Sequence, residues 1–193
     1  MLCVVDGAKL NSAMKQANIK FTYHDYLLLP DDKRYELVEG ELLVVPAPNL
    51  FHQSILRELE AILYSYVRKH DLGKIFFAPC DVVLSFENVV QPDLLFVCKE
   101  RLGILTDDNI QGPPDLIVEI LSQATKHRDL NLKRKLYARY GVREYWIVDP
   151  EGKTVEVLSW NATGYHTEAA VPHTARMSSS LFPDLDLNLA EIF

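Results

Sequence analysis

The sequence has few of the features that mark secreted, membrane-bound or zinc-binding proteins. Its 193 residues include three cysteines, which are widely spaced and form no Cys-x-x-Cys pair. Neither a disulfide framework nor a structural zinc site is therefore expected. The apolar runs are too short to span a bilayer, and the first residues do not resemble a secretory signal. These absences predict a cytoplasmic protein that makes no contact with membranes.

The sequence also lacks the short motifs of several common enzyme classes. Neither Gly-x-x-x-x-Gly-Lys-Ser/Thr nor Gly-x-Gly-x-x-Gly occurs, so a glycine-rich phosphate-binding loop is not expected. His-Glu-x-x-His and Gly-x-Ser-x-Gly are absent too, which argues against a zinc protease and an α/β-hydrolase. Any catalytic chemistry has to come from side chains outside these motifs.

Positive charge is scarce overall and is concentrated in one segment. The net charge is −7, with 20 Lys and Arg against 27 Asp and Glu. That balance is unusual for a protein that binds nucleic acid. Residues 126–143, however, contain seven basic residues and the single acid Asp129. This basic segment either forms a solvated helix face or holds a polyanion, and the sequence leaves these two interpretations open.

The chain length and the apolar pattern predict one α/β domain over residues 21–193. Residues 1–20 show no clear periodicity and are expected to form an N-terminal extension. An N-terminal hairpin is predicted over residues 35–45, with its turn at Gly40. A long helix is predicted over residues 52–69 because apolar residues recur there at helical spacing.

The rest of the domain is predicted to be a mixed β-sheet flanked by helices. Strands are expected over residues 74–86, with an interruption at Pro79, and over residues 89–97. Residues 115–121 are apolar enough to lie at the centre of the sheet. A helix follows over residues 126–140, and extra C-terminal strands come after it.

Two of these predicted strands carry a carboxylate that packing does not require. Asp93 lies in the first and Glu119 in the second. Burying an unpaired carboxylate is costly, so Glu119 needs a metal ion or a basic side chain for compensation. Two acids on neighbouring strands with a lysine nearby can bind Mg²⁺ and cleave a phosphodiester. In the following helix, Asp129 and Lys133 are four residues apart, a spacing typical of an ordinary surface ion pair.

Several segments together resemble the restriction endonuclease-like, or PD-(D/E)XK, nuclease fold, and more specifically the Uma-type restriction endonuclease family. The resemblance runs from about residue 23 to residue 193, nearly the whole chain. In chain order the segments are Tyr35–Leu42, His52–Gln53, Gln91–Phe96, Pro114–Ser122, Asp129-x-x-x-Lys133-x-x-x-Tyr137 and Gly141–Pro150. No single segment is specific, but their occurrence in this order indicates membership of the family.

The resemblance implies a metal-dependent endonuclease that hydrolyses phosphodiester bonds of nucleic acid, with DNA as the expected substrate. Asp93 and Glu119 would bind Mg²⁺ or Mn²⁺, together with the backbone carbonyl of Ile120. Lys133 would orient the attacking water or stabilise the developing negative charge. Glu36 and His52 would complete the catalytic set. A homodimer formed through the C-terminal strands would pair two active sites.

One position departs from the motif of the wider fold. Leu121 stands two residues after Glu119, where the motif has a lysine. Lys133 is the expected replacement, and Lys135 is the alternative, although it lies about 200° around the helix from Lys133. The departure leaves open a non-catalytic nucleic-acid-binding or assembly module, and also a hydrolase of another phosphate ester. The retained acids and lysine favour the nuclease, because an inactive relative gains nothing by burying two carboxylates.

Overall fold

The computed structural model describes residues 19–30 and 32–193, so nearly all of the predicted N-terminal extension lies outside the described residues. In chain order the helices and strands are α1 (Tyr23–Tyr26), β1 (Arg34–Val38), β2 (Glu41–Val45), α2 (Leu50–Lys69), β3 (Gly73–Phe77), β4 (Val82–Ser85), β5 (Asn88–Val90), β6 (Leu94–Cys98), β7 (Ile110–Gln111), β8 (Leu116–Ile120), α3 (Arg134–Tyr140), β9 (Glu144–Asp149), β10 (Thr154–Asn161), β11 (Gly164–Pro172), β12 (Arg176–Met177) and β13 (Leu187–Asn188). The described residues also contain three short helical segments of other types, a 3₁₀ helix at Lys99–Ile104, a π-helical turn at Arg128–Lys133 and a 3₁₀ turn at Leu189–Glu191.

The strands form two main sheets and one short pair. The larger sheet has the order β11-β10-β9-β8-β6-β3, and the second sheet has the order β2-β1-β5-β4-β7. Strand β8 runs parallel to β9 and antiparallel to β6, and every one of its residues is buried. The prediction of a central strand in a mixed sheet is therefore confirmed. The extra C-terminal strands are confirmed as well, since β10 and β11 form one side of the larger sheet.

Both faces of the larger sheet are covered by apolar side chains. Because side chains alternate along a strand, neighbouring residues of β8 belong to different layers. Val118 and Ile120 pack with α2 and the C-terminal segment. Ile117 and Leu121 pack with α3 and the second sheet on the opposite face. Glu119 lies between Val118 and Ile120 in the sequence and therefore points to the α3 side.

The N-terminal hairpin and the long helix form where the sequence predicts them. Strands β1 and β2 pair from Val38 opposite Glu41 onwards, and Glu39 and Gly40 have φ values of 52° and 80°. Two consecutive positive φ values are typical of the type I′ turn that matches the twist of a hairpin. Helix α2 begins two residues earlier than predicted, capped by the side chain of Asn49.

Within the part of the chain that the structure describes, no helix is long and apolar enough to cross a membrane.

Two predicted strands are each divided between the two sheets, which corrects the sequence interpretation. Residues 74–86 form β3 in the larger sheet and β4 in the second, and residues 89–97 form β5 and β6 in the opposite order. Pro79 and Pro92 lie at the crossings, where proline cannot donate a ladder hydrogen bond. Asp93 consequently precedes β6 instead of lying within a strand. The apolar pattern indicates that these residues are buried, but it does not indicate to which of the two sheets each segment belongs.

The predicted helix over residues 126–140 forms, but its first part is a π-helical turn, Arg128–Lys133, which continues into α3. Helix α3 ends at Gly141, whose φ of 73° places it in the left-handed region that favours glycine. Such π-helical turns are frequent at functional sites.

A buried carboxylate attaches the C-terminal segment to the domain. Glu144 is fully buried at the start of β9. Its carboxylate accepts hydrogen bonds from the hydroxyls of Ser179 and Ser180, at 2.7 and 2.5 Å, and from the indole of Trp146 at 2.9 Å. In the segment after Ser180, apolar side chains, including that of Phe182, pack on the α2 side of the sheet.

Candidate active site

A cavity of about 490 Å³ lies where β6, β8, the end of the hairpin and the start of α2 meet. All five side chains that the sequence analysis nominates as catalytic line this cavity, although they are far apart in the chain. They are Glu36, His52, Asp93, Glu119 and Lys133. Ile120, nominated for its backbone carbonyl, lines the cavity as well.

Asp93 is held in place by hydrogen bonds from two other elements. Its Oδ2 atom accepts the backbone N–H of Ile120 at 2.8 Å and lies 3.1 Å from Nε2 of His52. The bond from Ile120 forms because Leu94, next to Asp93, pairs with Val118 across β6 and β8. The other oxygen, Oδ1, accepts no hydrogen bond within the described residues, and the side chain is 15% exposed towards the cavity.

Lys133 reaches the acids from the π-helical turn. Its Nζ lies 2.8 Å from an oxygen of Glu119 and 2.8 Å from an oxygen of Glu36. The same ammonium lies 3.6 Å from Asp129, and Tyr137 donates a hydrogen bond of 2.7 Å to Glu119. Asp129 and Lys133 are buried, so the interpretation as an ordinary surface ion pair is wrong.

The position of the lysine follows from the packing of α3 on the sheet. Leu121 points to the same face of the sheet as Glu119 but is buried in the core with α3. Since α3 and its π-helical turn cover that face, a side chain from the turn can reach Glu119. Lys135 is exposed, as its direction around the helix predicts. The structure thus brings Lys133, and not Lys135, to the acids.

The buried charges of the site do not balance. Three buried carboxylates, those of Glu36, Glu119 and Asp129, lie within 3.6 Å of the ammonium of Lys133, and Arg128 lies 3.6 Å from Glu36. Burial raises the pKa of Glu119 well above its usual range, and the nearby acids add to this effect against the opposing influence of Lys133. Asp129 shows the same direction of pKa shift, for which burial is the main cause.

Lys133 is held in its charged form. Burial alone would lower its pKa, but Glu119, Glu36 and Asp129 together raise the pKa of its ammonium well above the usual range. Lys133 therefore supplies a hydrogen-bond donor and a positive charge to the site.

The donor set fits a hard divalent cation. Oε2 of Glu119 and Oδ1 of Asp93 accept no hydrogen bonds among the residues that the structure describes. Oδ1 of Asp129 is buried and accepts no hydrogen bond either, although Lys133 lies 3.6 Å away. The same part of the chain contains no group of three or more His, Cys, Asp or Glu side chains arranged around one point. Two carboxylates and a carbonyl suit Mg²⁺, which usually keeps several water ligands and takes only one or two carboxylates.

The basic segment is not an open positive surface. Six of its seven basic residues lie within ion-pair distance of a carboxylate, and Lys135 alone has no such partner among the described residues. The six are Lys126, Arg128, Lys133, Arg134, Arg139 and Arg143. These pairings are compatible with both interpretations that the sequence leaves open, a solvated helix face and a polyanion-binding surface, because the side chains of Arg139 and Arg143 stay more than half exposed beside their partners.

Arg34 and Gln91 shape the site, although the sequence predicts no role for either residue. The backbone N–H of Gln91 donates to Glu36 at 2.9 Å, and the side chain of Gln91 accepts a hydrogen bond from Arg34. Their positions in the sequence give no signal of this, because each contact joins residues more than fifty positions apart. Tyr137 has a signal, since Asp129, Lys133 and Tyr137 follow one another at intervals of four residues.

Comparison with known protein families gives a match over residues 22–190, to the family Uma2, which is described as "Putative restriction endonuclease". The chain belongs to this family. The family predicted from the sequence segments is therefore confirmed. No curated protein sequence matches the chain.

Solved structures show the fold of this Uma2 chain. A crystal structure described as a "putative nuclease belonging to DUF820", from Anabaena variabilis ATCC 29413, aligns with a TM-score of 0.76 and 22% sequence identity. The alignment covers 90% of this chain and 97% of the other. This likeness confirms the predicted restriction endonuclease-like α/β fold. The type IIG restriction endonuclease BpuSI aligns with a TM-score of 0.40, 13% identity and coverage of 74% and 15% of the two chains, which is too low to carry an argument.

Proposed function

We propose that this Uma2 protein is a metal-dependent endonuclease that hydrolyses phosphodiester bonds in nucleic acid, with DNA as the main substrate. One observation carries the proposal. Asp93 and Glu119 line the same cavity, each with one oxygen that accepts no hydrogen bond from the described residues, while the ammonium of Lys133 lies 2.8 Å from Glu119. This combination of two acids and a lysine fits phosphodiester hydrolysis. The description of the family as restriction endonucleases supports the same substrate class.

Asp93 and Glu119 would hold Mg²⁺ or Mn²⁺, together with the backbone carbonyl of Ile120. When bound, the ion would lower the pKa of a coordinated water and neutralise charge on the scissile phosphate. The excess of buried carboxylates supports this assignment, because a cation removes the repulsion among them.

Lys133 would donate a hydrogen bond to the attacking water or to a phosphate oxygen. The three acids around its Nζ keep it charged, as the raised pKa indicates. A fixed positive charge at this point stabilises negative charge that develops in the transition state. Because Glu36 and Glu119 hold the ammonium from two sides, the lysine needs little reorganisation during the reaction.

His52 and Glu36 would act on the site through their neighbours. His52 donates from Nε2 to Asp93 and thereby orients the carboxylate. Glu36 holds Lys133 at 2.8 Å and is itself fixed by the backbone N–H of Gln91.

We also propose a homodimer in the cytoplasm. Strand β11 is the outermost strand of the larger sheet, and its outer edge offers backbone groups for pairing with a second copy. Reduced Cys80 and Cys98 agree with the cytoplasmic location. Sedimentation equilibrium would test the assembly, and a mass equal to that of one chain would refute the dimer.

The decisive experiment is cleavage of supercoiled plasmid, single-stranded DNA and RNA in Mg²⁺, in Mn²⁺ and in EDTA. Asp93→Asn and Glu119→Gln are expected to abolish the metal-dependent cleavage. The matched controls are Asp107→Asn and Glu41→Gln, because these two acids are exposed and lie outside the cavity. Metal titration by calorimetry gives a second readout, in which the two site variants lose binding and the controls keep it.

Cleavage that persists in Asp93→Asn and Glu119→Gln would come from a contaminant and would contradict the proposal. Absence of cleavage in the parent protein, with metal binding intact, would favour the non-catalytic module. Cleavage of simple phosphate diesters but of no nucleic acid would favour the third interpretation, a hydrolase of another phosphate ester.

A further inference from the structure

A second cavity, of about 320 Å³, adjoins the candidate active site. It lies between the end of β3 and one face of α2, the face that carries Gln53, Leu56, Arg57 and Glu60. The two cavities share Arg34, Pro48, His52 and Asp93 in their linings. A strand of nucleic acid cleaved at Asp93 would therefore have room for a neighbouring nucleotide in the second cavity.

Arg34 is the cation that the two cavities share. Lys126, Lys133 and Arg57 also line them, and each has a carboxylate within ion-pair distance. Arg34 has no such partner among the residues that the structure describes, so its charge is available to an anionic ligand. A guanidinium group binds phosphate oxygens with two parallel hydrogen bonds.

The side chain of Arg34 is held in a defined position. Its Nε donates a hydrogen bond of 2.9 Å to the side-chain oxygen of Gln91. The amide nitrogen of Gln91 donates in turn to Asp81 at 2.7 Å, and Tyr26 donates to the same Asp81 oxygen at 2.8 Å. This network uses Nε and leaves the terminal nitrogens of the guanidinium for a ligand.

Phe77 gives the second cavity an aromatic surface. It is the last residue of β3, an outer strand of the larger sheet, and 54% of its surface is exposed although it lines a cavity. Aromatic rings of this kind stack on unpaired nucleic-acid bases, in a contact that tolerates any base. The ring and the guanidinium thus supply the two contacts that a nucleotide requires.

We propose that the second cavity binds an unpaired nucleotide next to the phosphodiester that is cleaved. Arg34 binds the phosphate of this nucleotide, and the ring of Phe77 stacks on its base. The inference rests on the nuclease function proposed above and defines its substrate class more closely. A base that is stacked inside a duplex cannot lie on Phe77, so single strands and frayed ends are the preferred substrates.

The test is binding of a fluorescent single-stranded oligonucleotide and of the matching duplex, with Ca²⁺ in place of Mg²⁺. Phe77→Ala is expected to raise the Kd for the single strand at least about fivefold, the effect of losing one stacked base. Arg34→Ala is expected to raise it about tenfold, as for the loss of a charge-assisted hydrogen bond. Phe77→Trp is expected to bind at least as tightly as the parent protein, because it keeps an aromatic face.

Two control variants separate these effects from general changes at the surface. Phe86→Ala removes a ring that is 53% exposed and lines neither cavity. Arg68→Ala removes an exposed arginine about 24 Å along α2 from His52. Both controls are expected to bind like the parent protein. The parent protein is also expected to prefer the single strand, and Phe77→Ala to lose most of this preference.

The same proteins are assayed for cleavage in Mg²⁺, so that the two proposals can fail separately. Cleavage by the parent protein, with Phe77→Ala and Arg34→Ala binding like the controls, would overturn the nucleotide subsite and leave the nuclease function standing. Equal loss of single-strand and duplex binding would overturn the assignment to an unpaired nucleotide. Weaker binding in the two variants without any cleavage would support the subsite and contradict the nuclease. Failure of the parent protein to bind either oligonucleotide would overturn both.

Discussion

Lys133 belongs to a helical turn, yet its ammonium lies 2.8 Å from a carboxylate on the central strand β8, that of Glu119. Leu121, two residues after Glu119, occupies the position where the family resemblance leads one to expect a lysine. It is buried, and the ammonium beside Glu119 comes from the π-helical turn that packs on the same face. The carboxylates of Glu36 and Glu119 define where the charge must lie.

Lys133→Met should lower kcat for nucleic-acid cleavage by about 10²-fold or more, the usual effect of losing a group that stabilises transition-state charge. Lys135→Met, on the exposed side of α3, should leave cleavage unchanged. Removing Lys133 also leaves Glu36 and Glu119 buried without their cation, which costs about 3–5 kcal/mol. Glu119→Gln combined with Lys133→Met should recover part of that stability without recovering activity. Equal activity of Lys133→Met and Lys135→Met would contradict the role of Lys133.

Asp115 provides a prediction about pH that does not involve the active site. It is fully buried before β8, and hydrogen bonds from the backbone of Cys98 and from Arg101 outweigh burial and lower its pKa. A carboxyl group whose pKa is lower in the folded protein than in the unfolded chain stabilises the folded state. This stabilisation is complete at pH values above the pKa of the unfolded chain, about 3.9, and is lost as the pH falls through the pKa of the folded protein.

Asp115→Asn should therefore lower the free energy of unfolding by about 2 kcal/mol at neutral pH. The difference from the parent protein should shrink as pH falls below about 4. Urea unfolding at several pH values measures this difference. If the difference in free energy of unfolding stays constant from pH 7 to pH 3, the charge of Asp115 does not contribute to stability.

At the scale of single residues, the sequence predicts the acids and the lysine of the candidate site, but it does not predict the residues that hold them in place. Asp93, Glu119 and Lys133 are identified by segments of the chain that resemble a family, and all three line one cavity. The contacts of Arg34 and Gln91 could not be predicted, because they depend on how β1 and the Pro92 crossing meet in space. Neither position differs in the sequence from an ordinary polar surface residue.

At the scale of elements, the π-helical turn and α3 form the part of the site that depends most on tertiary packing. They carry Lys133 and Tyr137, and their position is set by the contact of Leu136 with the sheet and by the stop at Gly141. The helical periodicity predicts the element and its C-terminal glycine. The π-helical geometry of its first turn, in which Asp129 and Lys133 are buried, has no signal in the sequence.

Gly141→Ala should lower the free energy of unfolding by about 1 kcal/mol, because φ at this position is in the left-handed region. No atom lies within 4 Å of the place where a Cβ would be added, so the effect is one of the backbone alone. Gly103→Ala is the control, since that glycine is equally open but is not among those with positive φ. Thermal unfolding of both variants measures the difference. Equal stability of the two would contradict the role of Gly141 as the helix stop.

For the strands, the sequence predicts the positions of several of them but not the sheet to which each one belongs. Hairpin β1–β2 and central strand β8 are predicted correctly, because turn chemistry and continuous burial are local properties. The division of residues 74–86 and 89–97 between two sheets is not predicted, although Pro79 and Pro92 mark both crossings. That division places Asp93 at the end of a crossing, next to His52 and Ile120.

At the scale of the whole molecule, the charge distribution limits how the protein can hold nucleic acid. The net charge is −7, and ion pairs occupy most of the basic segment. Few phosphate contacts remain available, Arg34 being the main one in our proposal. Binding should therefore be weak in the absence of a divalent cation and should depend little on monovalent salt.

The slope of log K against log salt for a single-stranded oligonucleotide should be about −1, which corresponds to one or two phosphate contacts. Fluorescence anisotropy over a range of NaCl concentrations measures this slope. A slope steeper than about −3 would require four or more contacts and would show that the basic segment does bind the polyanion. Arg34→Ala should make the slope shallower, whereas Arg68→Ala should not change it.

The attachment of the C-terminal segment through Glu144 has a consequence for biosynthesis. Phe182, Leu187 and Ile192 are buried on the α2 side of the core, so this core is complete only after the last of them has been synthesised and packed. Asp93, Glu119 and Lys133 are translated long before that point. A nascent chain therefore carries all the residues of the candidate active site before the core that supports them is complete.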